Sequence, residues 1–351
     1  MQLARLVWCL MAGFCVIGPS FCLAQPSIPK ERIPADLSPE AIEKLGKLYA
    51  PKAKDRCRAV DDLDDSDRRV LPFVVALLDD NEVDFEQVNK YYTEEMRVSR
   101  TIYQRAPGTY GSWWYSPSVC AGRKLFGARQ AGIEALVAAV RQRPEAEFAW
   151  ARDPSLPCSA YLPEQEKNPG AWNRYTPAQR YAAVLGEMHG LQRYEQARND
   201  ERKWARDATI ALFADKDWRV RWLGASAFAR FAQVKDAEAV VPLRALLADP
   251  EARVRAAAVW SLGHFDKVPG AGDAVFAATR DAHVWVRWTA TCALSLLQDA
   301  RADAAFLAAL DEPEPAIRIE AVGRLIWGGG KPRAGEAFVK ALKDSDASVG
   351  A

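Results

Sequence analysis

Residues 281–294 read Asp281-Ala282-His283-Val284-Trp285-Val286-Arg287-Trp288-Thr289-Ala290-Thr291-Cys292-Ala293-Leu294. The frame of this stretch returns through the last third of the chain. Val220-Arg221, Val254-Arg255, Val286-Arg287 and Ile317-Arg318 each follow an acidic turn and open a run of small and apolar residues. Acids close the units at Asp215, Asp249, Asp281, Asp311 and Asp344, with gaps of 34, 32, 30 and 33 residues. Four places past each Val or Ile sits a small residue (Gly224, Ala258, Ala290, Ala321), and eight past it a large apolar one (Phe228, Leu262, Leu294, Leu325). Offsets of 0, 4 and 8 share one face of a helix. A small residue at the middle offset lets two backbones approach closely.

The second half of each unit carries another apolar stripe: Val240, Leu243, Leu246 and Leu247; Val275 and Phe276; Phe306, Leu307 and Leu310; Phe338, Val339 and Leu342. Pro242 lies near the start of its helix, where a missing N–H costs little. Pro269-Gly270 and Gly328-Gly329-Gly330 break the two halves apart. Asp217, Glu251 and Glu314 fall at first-turn positions, where negative charge suits a helix N-terminus. One unit is therefore helix, turn, helix. A period of this length predicts stacked helical hairpins in an all-α, α-α superhelix.

This pattern resembles a HEAT repeat, and is most similar to the short HEAT-like repeats of the phycobilisome lyases. The resemblance covers Thr176 to Ala351 and, more weakly, Ala53 to Asp80. It implies an armadillo-type solenoid in which Arg221, Arg255, Arg287 and Arg318 pair with acids of neighbouring units, a structural role. It says little about activity, because such repeats serve enzymes, adaptors and scaffolds alike. The last unit departs from the pattern: Val349 precedes Gly350, and Ala351 ends the sequence. An unfinished repeat would leave an apolar face uncapped, so the natural chain is expected to continue.

The first residues read as an export signal. Arg5 is followed by an apolar run from Leu6 to Ile17, a break at Gly18-Pro19, and small residues ending at Ala24. Cleavage there would leave Gln25 as the N-terminus of a periplasmic or extracellular protein. No later run is long enough to cross a bilayer. Residues 25–37, with three prolines, are expected to be extended. Of the seven cysteines, Cys9, Cys15 and Cys22 would leave with the signal. Cys57, Cys120, Cys158 and Cys292 would then meet an oxidising compartment, with three complete pairings open to them. Cys120 and Cys158 lie in Pro/Gly-rich stretches, where a staple is most useful, and that bond is the expected one. Cys292 reads as a small buried hydrophobe.

Between signal and repeats, residues 38–175 read as degenerate helical structure. Helices are expected at Ser38 to Tyr49 with Ser38 as N-cap, at Arg56 to Leu63, at Arg69 to Leu78, at Glu82 to Tyr103 and at Leu125 to Arg143. Two segments interrupt them. Ala106 to Gly122 holds Trp113-Trp114-Tyr115, and Pro144 to Pro177 holds Trp150, Tyr161, Trp172 and Tyr175. Aromatic loops of this kind either grip a ligand or cover exposed helix ends.

The sequence points away from most chemistry. Lys+Arg number 47 and Asp+Glu 46, a net charge of +1, so no strong field draws the chain to nucleic acid. Only His189, His264 and His283 occur, none followed by Glu. The repeated His-Glu pairs of the HEAT-repeat di-iron hydroxylase are thus missing. No Cys-x-x-Cys, phosphate loop or Gly-x-Ser-x-Gly elbow appears, and neither metal nor cofactor is expected. Trp222 and Trp288 share one register, and Trp218 and Trp285 lie just before the Val-Arg pairs. With Arg219 they form either a recognition strip or rings that fill grooves between units. The expected function is an exported, non-catalytic scaffold or adaptor that binds a protein partner. The alternative is a lyase-like or cofactor-handling accessory protein.

Overall fold

The structure is a computed structural model. It describes residues 28–64, 67–80, 117–148, 177–190, 199–231, 237–265, 268–297, 299, 301–327, 334–346 and 349. The export signal, the expected helix at Glu82 to Tyr103, and Trp113, Trp114, Tyr115 and Cys158 lie outside these residues. Every regular element among the described residues is helical. No helix there is long and apolar enough to cross a membrane.

The helices come as hairpins. After α1 (Pro39–Lys47), the first helices are α2 (Ala53–Asp62), α4 (Pro117–Gly127), α6 (Pro177–Gly190), α8 (Trp218–Phe231), α10 (Ala252–Gly263), α12 (Val284–Leu294) and α14 (Pro315–Trp327). The second helices are α3 (Leu71–Ala76), α5 (Gln130–Val140), α7 (Asn199–Ala211), α9 (Val240–Ala245), α11 (Ala271–Ala278), α13 (Ala302–Ala309) and α15 (Ala334–Ala341). Each first helix packs on the next, from α2 through α4, α6, α8, α10 and α12 to α14. One core therefore runs from Leu37 to Val349. The packing shows no break at the boundary expected near residue 175, because α6 lies on both α4 and α5.

α10 is enclosed on both sides by α8 and α12, so its sequence is apolar nearly all round. In α10, Val254, Ala256, Ala257, Ala258, Val259, Ser261, Leu262 and Gly263 are all buried. The small residues set the spacing. A Cβ added at Gly263 would stand 2.9 Å from the Ala293 Cβ of α12. The buried Ser261 hydroxyl donates to the Ala225 carbonyl of α8 at 2.6 Å, which satisfies a polar group in the tightest layer.

Several local expectations are corrected. The helix expected from Leu125 to Arg143 is two helices, and Pro117 to Gly122 belongs to the first of them, not to a loop. They are split at Arg129, whose φ of 48° is left-handed. A Cβ at Gly132 would overlap the Leu125 carbonyl, so only glycine permits that crossing. Residues 28–37 are not plainly extended. They contain a 3-10 turn at Lys30–Arg32, Leu37 is buried, and Tyr49 donates to the Ile28 carbonyl at 2.7 Å. Ser38 does cap α1, its hydroxyl accepting from the Ala41 N–H at 3.1 Å.

Candidate functional site

The fourth residue of every first helix occupies one register: Arg56, Cys120, Arg180, Arg221, Arg255, Arg287 and Arg318. In the C-terminal units this arginine reaches forward to the acid that ends its own hairpin. Arg221 clasps Asp249 with Nε and Nη2 at 2.6 and 2.9 Å. Arg255 holds Asp281 at 2.8 Å through both nitrogens, and Arg318 holds Asp344 at 2.7 and 2.8 Å. Arg287 instead meets Glu312 at 3.2 Å, not the expected Asp311, which pairs with Lys340. The Nη1 of each donates to two carbonyls of the preceding turn, such as Asp249 and Pro250 for Arg255.

The carboxylates do a second job. Oδ1 of Asp249, Asp281 and Asp344 accepts the backbone N–H two residues on, from Glu251, His283 and Asp346. Each thereby fixes the turn into the next first helix. Burial pushes the Asp281 carboxyl up, but Arg255 and the His283 N–H outweigh it and hold it below the ordinary carboxylate value. Asp344 is held low chiefly by Arg318. The same device appears at the N-terminal end, where the resemblance was weaker. Arg56 bonds Asp80 at 2.6 and 3.2 Å and donates to the Ala50 and Pro51 carbonyls. This pair is fully buried. Asp55 stands where α8, α10, α12 and α14 have Val or Ile, which weakened the resemblance over this unit. Ala59 and Leu63, at the small and large offsets, were the legible signal.

Arg180 breaks the ladder. It turns back to the Leu78 and Asp79 carbonyls at 3.5 and 3.3 Å. Asp215 is bonded by Arg141 at 2.6 Å instead. Around Arg180, the Arg143 guanidinium donates to Asp79 and to the Tyr181 hydroxyl and lies 5.0 Å from the Tyr181 ring centroid. Burial pushes the Tyr181 phenol up to about 12, raises Glu147 and lowers Arg180. Two cations and two carboxylates balance here, and the cluster ties the segments that follow α3 and α5 to α6.

The tryptophan strip divides. Trp222 and Trp288, each the residue after a ladder arginine, are both only 2% exposed. They fill grooves between units, so their reading as recognition residues is corrected: little of either ring is left for a partner. Trp218 and Trp285 are half-buried at the surface. Trp218 packs edge-on against Phe148 at 5.0 Å. Two guanidinium groups lie close to its ring, Arg219 at 5.2 Å and Arg253 at 5.0 Å from the centroid. Trp285 stands edge-on to Trp288 at 5.9 Å. Arg219, Arg253 and Trp285 are register equivalents, each one residue before the ladder arginine's apolar neighbour. Arg253 was missed in the sequence, though that register gave it away.

Arg219 and Arg253 differ from the ladder arginines in their partners. Their ion contacts are long: 3.7 and 3.6 Å to the exposed Glu145, and 3.5 and 4.0 Å to Asp217 and Glu251. Their donors retain capacity that the ladder arginines have spent. His283 caps α12, its Nδ1 accepting the Trp285 N–H at 3.3 Å, and His264 contacts the Trp260 carbonyl at 3.0 Å. Among the described residues no group of three or more His, Cys, Asp or Glu is placed to hold a metal ion. Cys120 faces Cys57 across α2 and α4; the expected bond to Cys158 lies outside the described residues.

Comparison with known families matches residues 205–295 to HEAT repeats. The match does not single out the lyase type. No curated protein matches the chain. Among solved structures, an engineered protein from a structural genomics programme is 14% identical, covering 88% of this chain and 85% of its own, with a TM-score of 0.32. That likeness is too low to argue from. The helical hairpins and the arginine–acid ladder make an α-α solenoid, whose residues 205–295 are similar to HEAT repeats.

Proposed function

We propose that the protein is an exported, non-catalytic HEAT-repeat scaffold that holds a protein partner on the strip formed by Trp218, Arg219, Arg253 and Trp285. The observation that carries this reading is the placement of two guanidinium groups, whose own ion contacts are long, about 5 Å from the Trp218 ring. Half-buried tryptophan beside arginine supplies large, rigid contact area with charged donors at its edge, the composition of interface anchors. HEAT repeats commonly mediate protein interactions. Export rests on the N-terminal charge, apolar run and small residues. It predicts a mature N-terminus at Gln25, checked by the intact mass of protein recovered from the cell envelope.

The binding test uses the full chain with a photo-crosslinking residue at the exposed position 282, beside Trp285, in its native cell. The expected result is a defined protein adduct that Trp218→Ala and Arg219→Ala each reduce at least tenfold, with unchanged helical circular dichroism. Adducts equally abundant in the variants would overturn the assignment of the strip.

A further inference from the structure

In α4 the ladder register holds Cys120, where the other first helices have arginine. Cysteine has no cation to send to an acid. Its thiol meets Cys57, the residue after Arg56, within hydrogen-bond reach across the α2–α4 contact. Cys57 therefore holds the register that Trp222, Ala256 and Trp288 hold in later units, all buried between neighbouring first helices. In those units the position needs only apolar bulk. Here two cysteines lie in one apolar core as unbonded thiols, with Cys120 1% and Cys57 9% exposed. The third described cysteine, Cys292, is also buried, on α12.

We propose that Cys57 and Cys120 are a disulfide pair that staples α2 to α4. Proximity makes them far better partners for each other than for a distant thiol. The step is an exchange with a small disulfide such as oxidised glutathione. One cysteine, as its thiolate, attacks a glutathione sulfur and displaces the first glutathione thiolate. The second cysteine then attacks the mixed disulfide and displaces the other. The protein loses two protons and two electrons, and the glutathione disulfide is reduced to two thiols. Cys57, the more accessible sulfur, is the entry point. The hydrogen bond with Cys120, burial, and the nearby Asp80 and Asp61 carboxylates all push the Cys57 thiol up. Exchange on the folded chain is therefore slow, and the bond forms fastest before α2 and α4 dock.

The test is a peptide map of the full chain made in an oxidising compartment, acid-quenched, denatured and alkylated without reduction. The expected result is a Cys57–Cys120 linked peptide, two hydrogens lighter than its parts, that disappears on reduction and persists in Cys292→Ser. Recovery of both cysteines as alkylated peptides, or of Cys120 linked to Cys158, would overturn the pairing. Slow exposure of the folded wild-type chain to oxidised glutathione gives the same readout. There, stable mixed disulfides at both sulfurs instead of a linked peptide would count against it.

Discussion

Arg56 and Arg255 do the same job in different surroundings, and the difference predicts different costs. Arg255 and Asp281 each keep some solvent contact. Arg255→Ala removes charge-assisted bonds to one acid and two carbonyls, and should cost about 2 kcal/mol. Arg56 and Asp80 have almost none. Arg56→Ala strands a buried carboxylate and should cost about 3–5 kcal/mol. Urea denaturation of the two variants checks the ordering; equal losses would contradict the burial argument. The acids add a pH dependence. Asp281 and Asp344 titrate below the ordinary carboxylate value of 3.8. A carboxylate with a lowered folded pKa stabilises the fold above its unfolded pKa, and that contribution is lost as pH falls through the folded one. Stability should thus be insensitive to these groups near neutrality and decline below about pH 4. In Asp281→Asn that decline should be shallower, as denaturation midpoints across the acid range would show.

At the scale of the helix, glycines separate contact from propensity. Gly263 touches Ala293, and the neighbouring backbone cannot yield cheaply. Gly263→Ala should destabilise by about 1–2 kcal/mol. Gly323, inside α14, has open space where a Cβ would go. Gly323→Ala should stabilise by about 0.5–1 kcal/mol through helix propensity alone. Thermal unfolding of the two variants, with shifts of opposite sign, is the check. The elements most legible in the sequence were those with the full frame: α8, α10, α12 and α14 each announce themselves by Val or Ile, Arg, a small residue and a large one. The turn at Arg129 was not legible, because an arginine in the left-handed region carries no local signal and the apolar pattern of α5 continues the stripe of α4. Arg287 choosing Glu312 over Asp311 was also hidden. Two adjacent acids fit the spacing, and only the turn geometry selects between them. At the strip, sequence could name Trp222 and Trp288 but not which side of the helix faces a neighbour.

The whole molecule is a chain of neighbours. Each unit touches the next through its first helix, and those opened by α2, α8, α10, α12 and α14 are each latched by one arginine, so a local lesion should spread only to adjacent units. This also bears on the proposed scaffold. Trp218, Arg219 and Arg253 come from two consecutive units, α8 and α10, so their relative placement depends on the Arg221–Asp249 clasp. Arg221→Ala should therefore weaken partner crosslinking at position 282 severalfold, although Arg221 itself is committed to Asp249. An unchanged yield would show that the strip does not depend on the ladder. The most direct test of the ladder is native-state hydrogen exchange on Arg255→Ala against wild type. The account predicts lost protection in α10, α11 and α12, with α2 and α4 unchanged. Loss spread evenly along the chain, or confined to α10 alone, would contradict it.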